Sequence, residues 1–185
     1  PVEVEGAAAR GEIALAERPS RVVFNPGNDV PVPGDRFYTW ANFVDDWPAA
    51  IIVYGTSRQI EANHTLALRW QTTLADAFTE ALPPVVRDSE VTRAQLAGRD
   101  LIVMGQPADN ALTARLADRL PVRFGKNFFV FNGTTYAAPD DGLFLVLPSP
   151  FDPKRVLYLI TANSALQLHQ MTRSYARDLP SWAVF

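Results

Sequence analysis

Cysteine is absent from the 185 residues, which excludes disulfides, a thiolate nucleophile and any cysteine-based metal site, and suits either redox compartment. Lysine is nearly absent too, confined to Lys126 and Lys154, so arginine carries almost all the positive charge. With a net charge of −3 and no clustering of Lys and Arg, no nucleic-acid partner is expected, because phosphate neutralisation needs a basic patch. No apolar run approaches the roughly 20 residues of a membrane helix, so no membrane span is expected, and no signal peptide is recognisable. Histidine is scarce, and His64 and His169 form neither H-E-x-x-H nor H-x-H, so no metal site is expected.

What remains is the composition of a chain that buries a real core, 48% apolar with 20% charged residues. The first residue is Pro1 rather than Met, which leads us to expect a processed product or an excised piece of something longer. The clearest local pattern begins at Asp100. Leu101 to Met104 form an unbroken apolar run, as in a strand buried on both faces of a parallel sheet. Gly105 permits a sharp turn, Pro107 keeps Gln106 out of the helical region, and Asp109 or Asn110 can cap a helix carrying Leu112, Leu116 and Leu120. That is half of a βαβ unit.

Other stretches repeat it. Ala49 to Ser57 gives a buried strand with a glycine turn, followed by a long helix from about Ile60 to Leu82 that Pro83 and Pro84 stop. Its expected apolar arc is Ile60, Ala67, Trp70, Leu74, Phe78 and Ala81. Val85 to Arg87 is a short strand, and Thr92 to Leu96 a brief helix capped by Ser89 or Thr92 and ended by Gly98. Asn132-Gly133 predicts a hairpin between Phe128 and Ala137, since both residues tolerate the positive φ of a type I′ turn. Leu143 to Leu147 and Arg155 to Ile160 read as two more buried strands, joined by a stiff loop through Pro148, Pro150 and Pro153. Asn163 or Ser164 caps a last helix with Leu168, Met171 and Tyr175 on one face, and the tail Ser181 to Phe185 is apolar enough to be pinned down.

The expected fold is therefore α/β: a three-layer, doubly wound (Rossmann- or flavodoxin-like) sandwich with a mainly parallel sheet over residues 34–185, its strand order open. Residues 1–33 differ in texture. Three alternating segments between Val2 and Val30, separated by Gly, Pro and Asn, suggest an antiparallel arm or the end of a preceding β-sandwich, too small to bury a core alone. Trp40, Phe43 and Trp47 then form an aromatic cluster that either covers an edge of the main domain or offers a ledge for sugar or peptide.

In open α/β sheets ligands bind beyond the carboxyl ends of the strands. That rim would carry Thr56, Ser57, Gly105, Gln106, Asn163 and Ser164, small polar residues at helix starts where free N–H groups favour anions. Tight strand-to-helix turns need the same residue types. Neither G-x-G-x-x-G nor G-x-x-x-x-G-K-[ST] occurs, so no nucleotide cofactor is expected. No G-x-S-x-G elbow is present, and no catalytic residue is assigned. His64 reads as a semi-buried residue at the edge of the long helix's apolar arc and His169 as a surface residue. Asp45-Asp46 and Asp140-Asp141 read as solvated turn acids.

Three stretches together carry a resemblance: Asp100 to Asn110, Leu120-Pro-Val-Arg-Phe, and Leu147 to Ile160 with its Pro-Ser-Pro-Phe-Asp-Pro core. Over about Ile51 to Arg173 the chain resembles the C-terminal accessory region of large secreted bacterial peptidases and esterases, of the gluzincin aminopeptidase and prolyl-oligopeptidase-like types. Ala14 to Pro26 is similar to the closing strands of the β-domain in such aminopeptidases. Their zinc helix and hydrolase elbow are missing here, so the resemblance implies context and transfers no catalytic residue. It implies a non-catalytic accessory domain of an extracytoplasmic (periplasmic or secreted) hydrolase, with an upstream domain of the same protein or a second copy as partner. A small-ligand or carbohydrate-binding module and a stand-alone hydrolase are the alternatives.

Overall fold

The structure, a computed structural model, describes residues 14–18, 47–78, 82–171 and 181–185. The chain divides into two units, Pro1–Arg36 and Phe37–Phe185, and the elements below belong to the second. Of the strands expected in residues 1–33, only 14–16 of the second are described, and there the chain is irregular and exposed rather than strand. The others, the rings of Trp40 and Phe43, Asp45, Asp46, Ala81 and Tyr175 lie outside the described residues, and Trp47 opens a short 3-10 helix, Trp47–Ala49.

The fold is mixed α/β. Strands β1 (Ala50–Tyr54), β2 (Val85–Arg87), β3 (Asp100–Met104), β7 (Gly142–Ser149), β8 (Asp152–Ala162) and β9 (Trp182–Val184) form a six-stranded sheet in the order β2-β1-β3-β8-β7-β9. The ladders from β2 to β8 are parallel, and those of β7 with β8 and β9 are antiparallel. The three strands expected to be parallel neighbours are so, with Ile52 opposite both Val85 and Ile102. A second, three-stranded antiparallel sheet comprises β4 (Val122–Gly125), β5 (Phe128–Phe131) and β6 (Thr134–Tyr136). Helices are few: α1 (Ile60–Phe78), α2 (Arg93–Leu96), α3 (Ala111–Leu116) and α4 (Ala165–Met171).

Every residue of β1 and β3 is buried, which accounts for their unbroken apolar runs. Strand alternation sorts them to opposite faces. Ile52, Tyr54, Ile102, Met104, Tyr158 and Ile160 pack with Leu66, Ala67, Trp70 and Leu74 of α1 and Leu168 and Met171 of α4. Ile51, Val53, Leu101, Val103 and Leu157 pack with Leu96 of α2 and Leu112 and Leu116 of α3. Farther along, Leu143, Leu145 and Leu159 meet Val122, Phe129 and Phe131 of the small sheet. At the amino end of β3, the buried Asp100 carboxylate accepts from the Val156 N–H at 2.9 Å and faces Arg155 at 3.7 Å, which ties β3 to β8.

Local signals account for most element ends. Thr92 and Gln95 form a reciprocal capping box. Ser164 Oγ accepts from the Gln167 N–H at 3.1 Å at the start of α4. The tail is pinned through the Phe185–Gly142 backbone pair and the Val146–Ser181 bond. Four expectations need correction. Ile60 is exposed, because it is the first residue of α1, while the buried arc begins with Leu66 and Ala67. α3 ends at Leu116 and tightens into a 3-10 turn over Ala117–Arg119, so Leu120 is not on its face. The Phe128–Ala137 hairpin gains a third strand, β4. The stiff loop is mostly strand: β7 continues to Ser149 and β8 begins at Asp152, with a bulge at Pro148/Ser149.

At the hairpin, Asn132 and Gly133 have φ of 50° and 80°, as a type I′ turn requires. A Cβ on Gly133 would meet nothing within 4 Å. Gly133→Ala should therefore cost only the left-handed backbone penalty, about 1–2 kcal/mol. Urea denaturation measures it, and an unchanged midpoint would contradict the turn assignment.

Candidate functional site

The chain leaves β1 for β2 on one side and then returns to β3 on the other. This is a topological switch point, where the carboxyl ends of neighbouring strands part and leave a crevice. Two buried side chains hold its walls. Asn110, 0% exposed, donates through Nδ2 to the Met104 carbonyl at 2.9 Å and the Val53 carbonyl at 3.3 Å. Its Oδ1 accepts from the N–H groups of Leu112 and Thr113 at 2.8 and 3.2 Å. One amide thus joins the ends of β1 and β3 and caps α3. Asp88, 2% exposed, accepts from the Thr56 N–H at 3.0 Å, the Thr56 hydroxyl at 2.6 Å and the Ala111 N–H. That carboxylate clasps the loops after β1 and β2 to α3.

Above them lies a cleft of about 250 Å³ whose lining includes Arg58, Gln59, Asn63, Gly105, Asp109, Asn127, Asn163 and Ser164. Arg58 Nε donates to Asp109 Oδ1 at 2.8 Å. Asn63 Nδ2 donates to the Gly55 and Arg58 carbonyls at 3.0 and 2.8 Å. Asn163 is fixed from three sides: its Nδ2 reaches the carbonyls of Tyr136 and Ala138, and its Oδ1 accepts from Gln106 Nε2 at 2.9 Å. Three backbones on this lining have positive φ, Gln59 at 51°, Asn127 at 61° and Gly105 at 107°. For Gln59 that is an uncommon conformation of the kind that gathers at ligand sites.

Of the rim residues expected from sequence, Gly105, Asn163 and Ser164 line this cleft. Thr56 is committed to Asp88, the Ser57 N–H to the Asp109 carbonyl at 3.1 Å, and buried Gln106 braces Asn163 from behind. Arg58, Asn63, Asp109 and Asn127 were not foreseen as lining. A signal existed for Asp109, the neighbour of the cap. Asn127 sits in the β4–β5 turn, and nothing local indicates that this turn reaches the rim. No protein-family model matches the chain, and no curated protein is detectably similar to it in sequence.

The two histidines stand apart. His64 packs against Tyr54 with ring centroids 5.0 Å apart and the rings tilted by 31°. On exposed His169, Nε2 lies 3.2 Å from Arg69 Nη1; since a guanidinium can only donate, Nε2 accepts, and its lone pair is engaged. Arg87 has a pKa raised above the ordinary arginine value, first by its hydrogen bond to Tyr54 and then by electrostatic attraction to Tyr54 and the Glu90 carboxylate. It is charged across the whole physiological range and supplies no pH switch. Among the described residues no three His, Cys, Asp or Glu side chains gather as a metal site, and no helix is long and apolar enough to cross a membrane.

Proposed function

We propose that the chain is a non-catalytic accessory or interaction domain of a larger extracytoplasmic hydrolase, a peptidase, which it serves by docking or by positioning substrate. The observation that supports the non-catalytic part is the use made of reactive side chains near the switch point. The Asp88 carboxylate is 2% exposed and holds three loop contacts, the Thr56 hydroxyl is committed to Asp88, and the Nε2 lone pair of His169 is engaged by Arg69. A general base needs a free lone pair within reach of a reacting proton, and these groups serve as struts. The hydrolase context rests on the resemblance over Ile51–Arg173, as do the upstream partner and the periplasmic or secreted location. We read the fold more finely as a doubly wound three-layer sandwich, supported by apolar clusters on both faces of the sheet. A small-ligand module is a compatible second reading, favoured by the polar cleft at the switch point.

The test is to clone the genomic reading frame around this sequence and express it with and without residues 34–185. A hydrolase that loses kcat/KM at least fivefold on large peptides, yet keeps its turnover of small reporter esters, is the expected result. Turnover by the 185-residue chain alone, abolished by substituting His64 or His169, would instead establish a stand-alone enzyme.

A further inference from the structure

The cleft does not end at the rim. It opens into a groove of about 470 Å³ between α1 and α4, and the two share Asn63, Ala165 and Leu168. The groove walls are mainly apolar, with Ala62 and Leu66 from α1 and Leu166 from α4, and Leu166 is 67% exposed. A polar chamber and an apolar trough therefore form one continuous surface. The groove lies within, and the cleft just below, the roughly 300–1,000 Å³ of pockets that take drug-sized ligands.

The unused hydrogen-bonding capacity defines the polar chamber. Among the described residues Arg58 is bonded only through Nε, which leaves its two Nη groups as a planar pair of donors, the geometry that matches a carboxylate. Asn63 directs Nδ2 at two carbonyl oxygens; this fixes the amide's orientation and leaves Oδ1 as an acceptor. Ser164 Oγ accepts from Gln167 and still has its O–H to donate. Asn127 contributes a whole amide, held on a backbone with φ of 61°. One carboxylate-matching fork, spare acceptor oxygens on Asn63, Asn127 and Asp109, and several spare donors suit a carboxylate with a peptide unit beside it. A plain fatty acid would leave the acceptors and the amide unpaired. Glu61 and Arg69 oppose each other in charge on the groove wall, and Asp109, already paired with Arg58, disfavours a second negative charge on the ligand.

We propose that this surface binds the C-terminal end of a peptide whose last residue is aliphatic, with the terminal carboxylate on Arg58, the last amide against Asn63 and Ser164, and the side chain between Leu66 and Leu166. The proposal rests on the binding role advanced above and supplies its ligand class. For a domain that serves a peptidase, such an end would be a product or a substrate terminus.

Calorimetric titration of the whole 185-residue chain tests it, with N-acetyl-alanyl-leucine as the free acid, the same peptide as its C-terminal amide, N-acetyl-alanyl-serine, and octanoate. The free leucine acid should bind at least tenfold tighter than its amide and clearly tighter than the serine peptide or octanoate. Arg58→Gln should erase the acid-over-amide preference, and Arg58→Lys should restore part of it. Leu166→Ser should erase the leucine-over-serine preference. Both positions are exposed, and thermal melts of the variants confirm folding. Equal binding of acid and amide, octanoate binding at least as tightly as the peptide, or no binding of any probe at millimolar concentration would each overturn the proposal. Deleting the domain from the parent judges the accessory role separately, so either idea can fail while the other stands.

Discussion

Gly55→Ala should destabilise the domain by about 3–4 kcal/mol, at the upper end of what overpacking costs, with a melting temperature lower by about 10 °C. Gly55 ends β1 where the loop after it lies against the loop after β3. A Cβ built there would strike the Asp109 carbonyl oxygen, stand 2.7 Å from its carbon and 3.1 Å from the Asn110 Cα. These are backbone atoms, so no rotamer change relieves the overlap. The loops must separate, and the 3.1 Å bond from the Ser57 N–H to the Asp109 carbonyl goes with them. Gly142→Ala is the control. Its Cβ would meet the Met171 thioether and, at 3.4 Å, the Gln167 Cγ, flexible ends that can move, so the expected loss is about 1 kcal/mol or less. Urea denaturation of both variants gives the comparison. A Gly55→Ala midpoint equal to that of Gly142→Ala would mean that the two loops do not touch as described.

The same geometry carries a functional consequence. The walls that Gly55 brings together support Arg58 and Asp109 at the cleft, so on the binding role proposed above, parting them should weaken capture of the peptide end as well as stability.

Much of this fold is legible in the sequence, for physical reasons that can be named residue by residue. Leu101 to Met104 are apolar without interruption because both faces of the central sheet are covered. The Thr92 cap, the Asn110 cap and the Asn132-Gly133 turn are local chemistry, settled within three or four residues. What escapes is non-local. Val122 to Gly125 holds too few apolar residues to announce a strand, and becomes one because Phe128 to Phe131 pairs with it. The Pro148–Pro153 segment carries loop signals, but the long β7–β8 ladder draws the chain into strand almost to the turn. The candidate site suffers most. Gly105, Asn163 and Ser164 are foreseeable from the rule that ligands gather beyond strand ends, whereas the convergence of Arg58, Asn63 and Asn127 depends on the order β2-β1-β3-β8. No periodicity encodes that order.

Asn110 offers the second large effect, and its two substitutions separate packing from hydrogen bonding. An amide has two donor hydrogens and an acceptor oxygen with two lone pairs, and here all four are used, on the Val53 and Met104 carbonyls and the Leu112 and Thr113 N–H groups. Asn110→Ala removes the cap, about 1 kcal/mol, and leaves two strand-end carbonyls without this partner at about 1–3 kcal/mol together, so about 3 kcal/mol should be lost. Asn110→Asp keeps the shape and the cap but turns a second oxygen toward the two carbonyls. A buried carboxylate facing carbonyl oxygens is disfavoured in its charged form, so its folded-state pKa must lie above the unfolded value. For an acid shifted upward, the folded state holds the proton longer and stability falls as pH rises through the interval between the two values. The aspartate variant should therefore be at least as unstable as the alanine variant at pH 7 and recover in mild acid, where the protonated group donates to one carbonyl. The alanine variant should show no such recovery relative to the parent. Urea midpoints for the three proteins at neutral and mildly acidic pH decide the matter, and an aspartate variant as stable as the parent at pH 7 would mean that Asn110 does not donate to the strand ends.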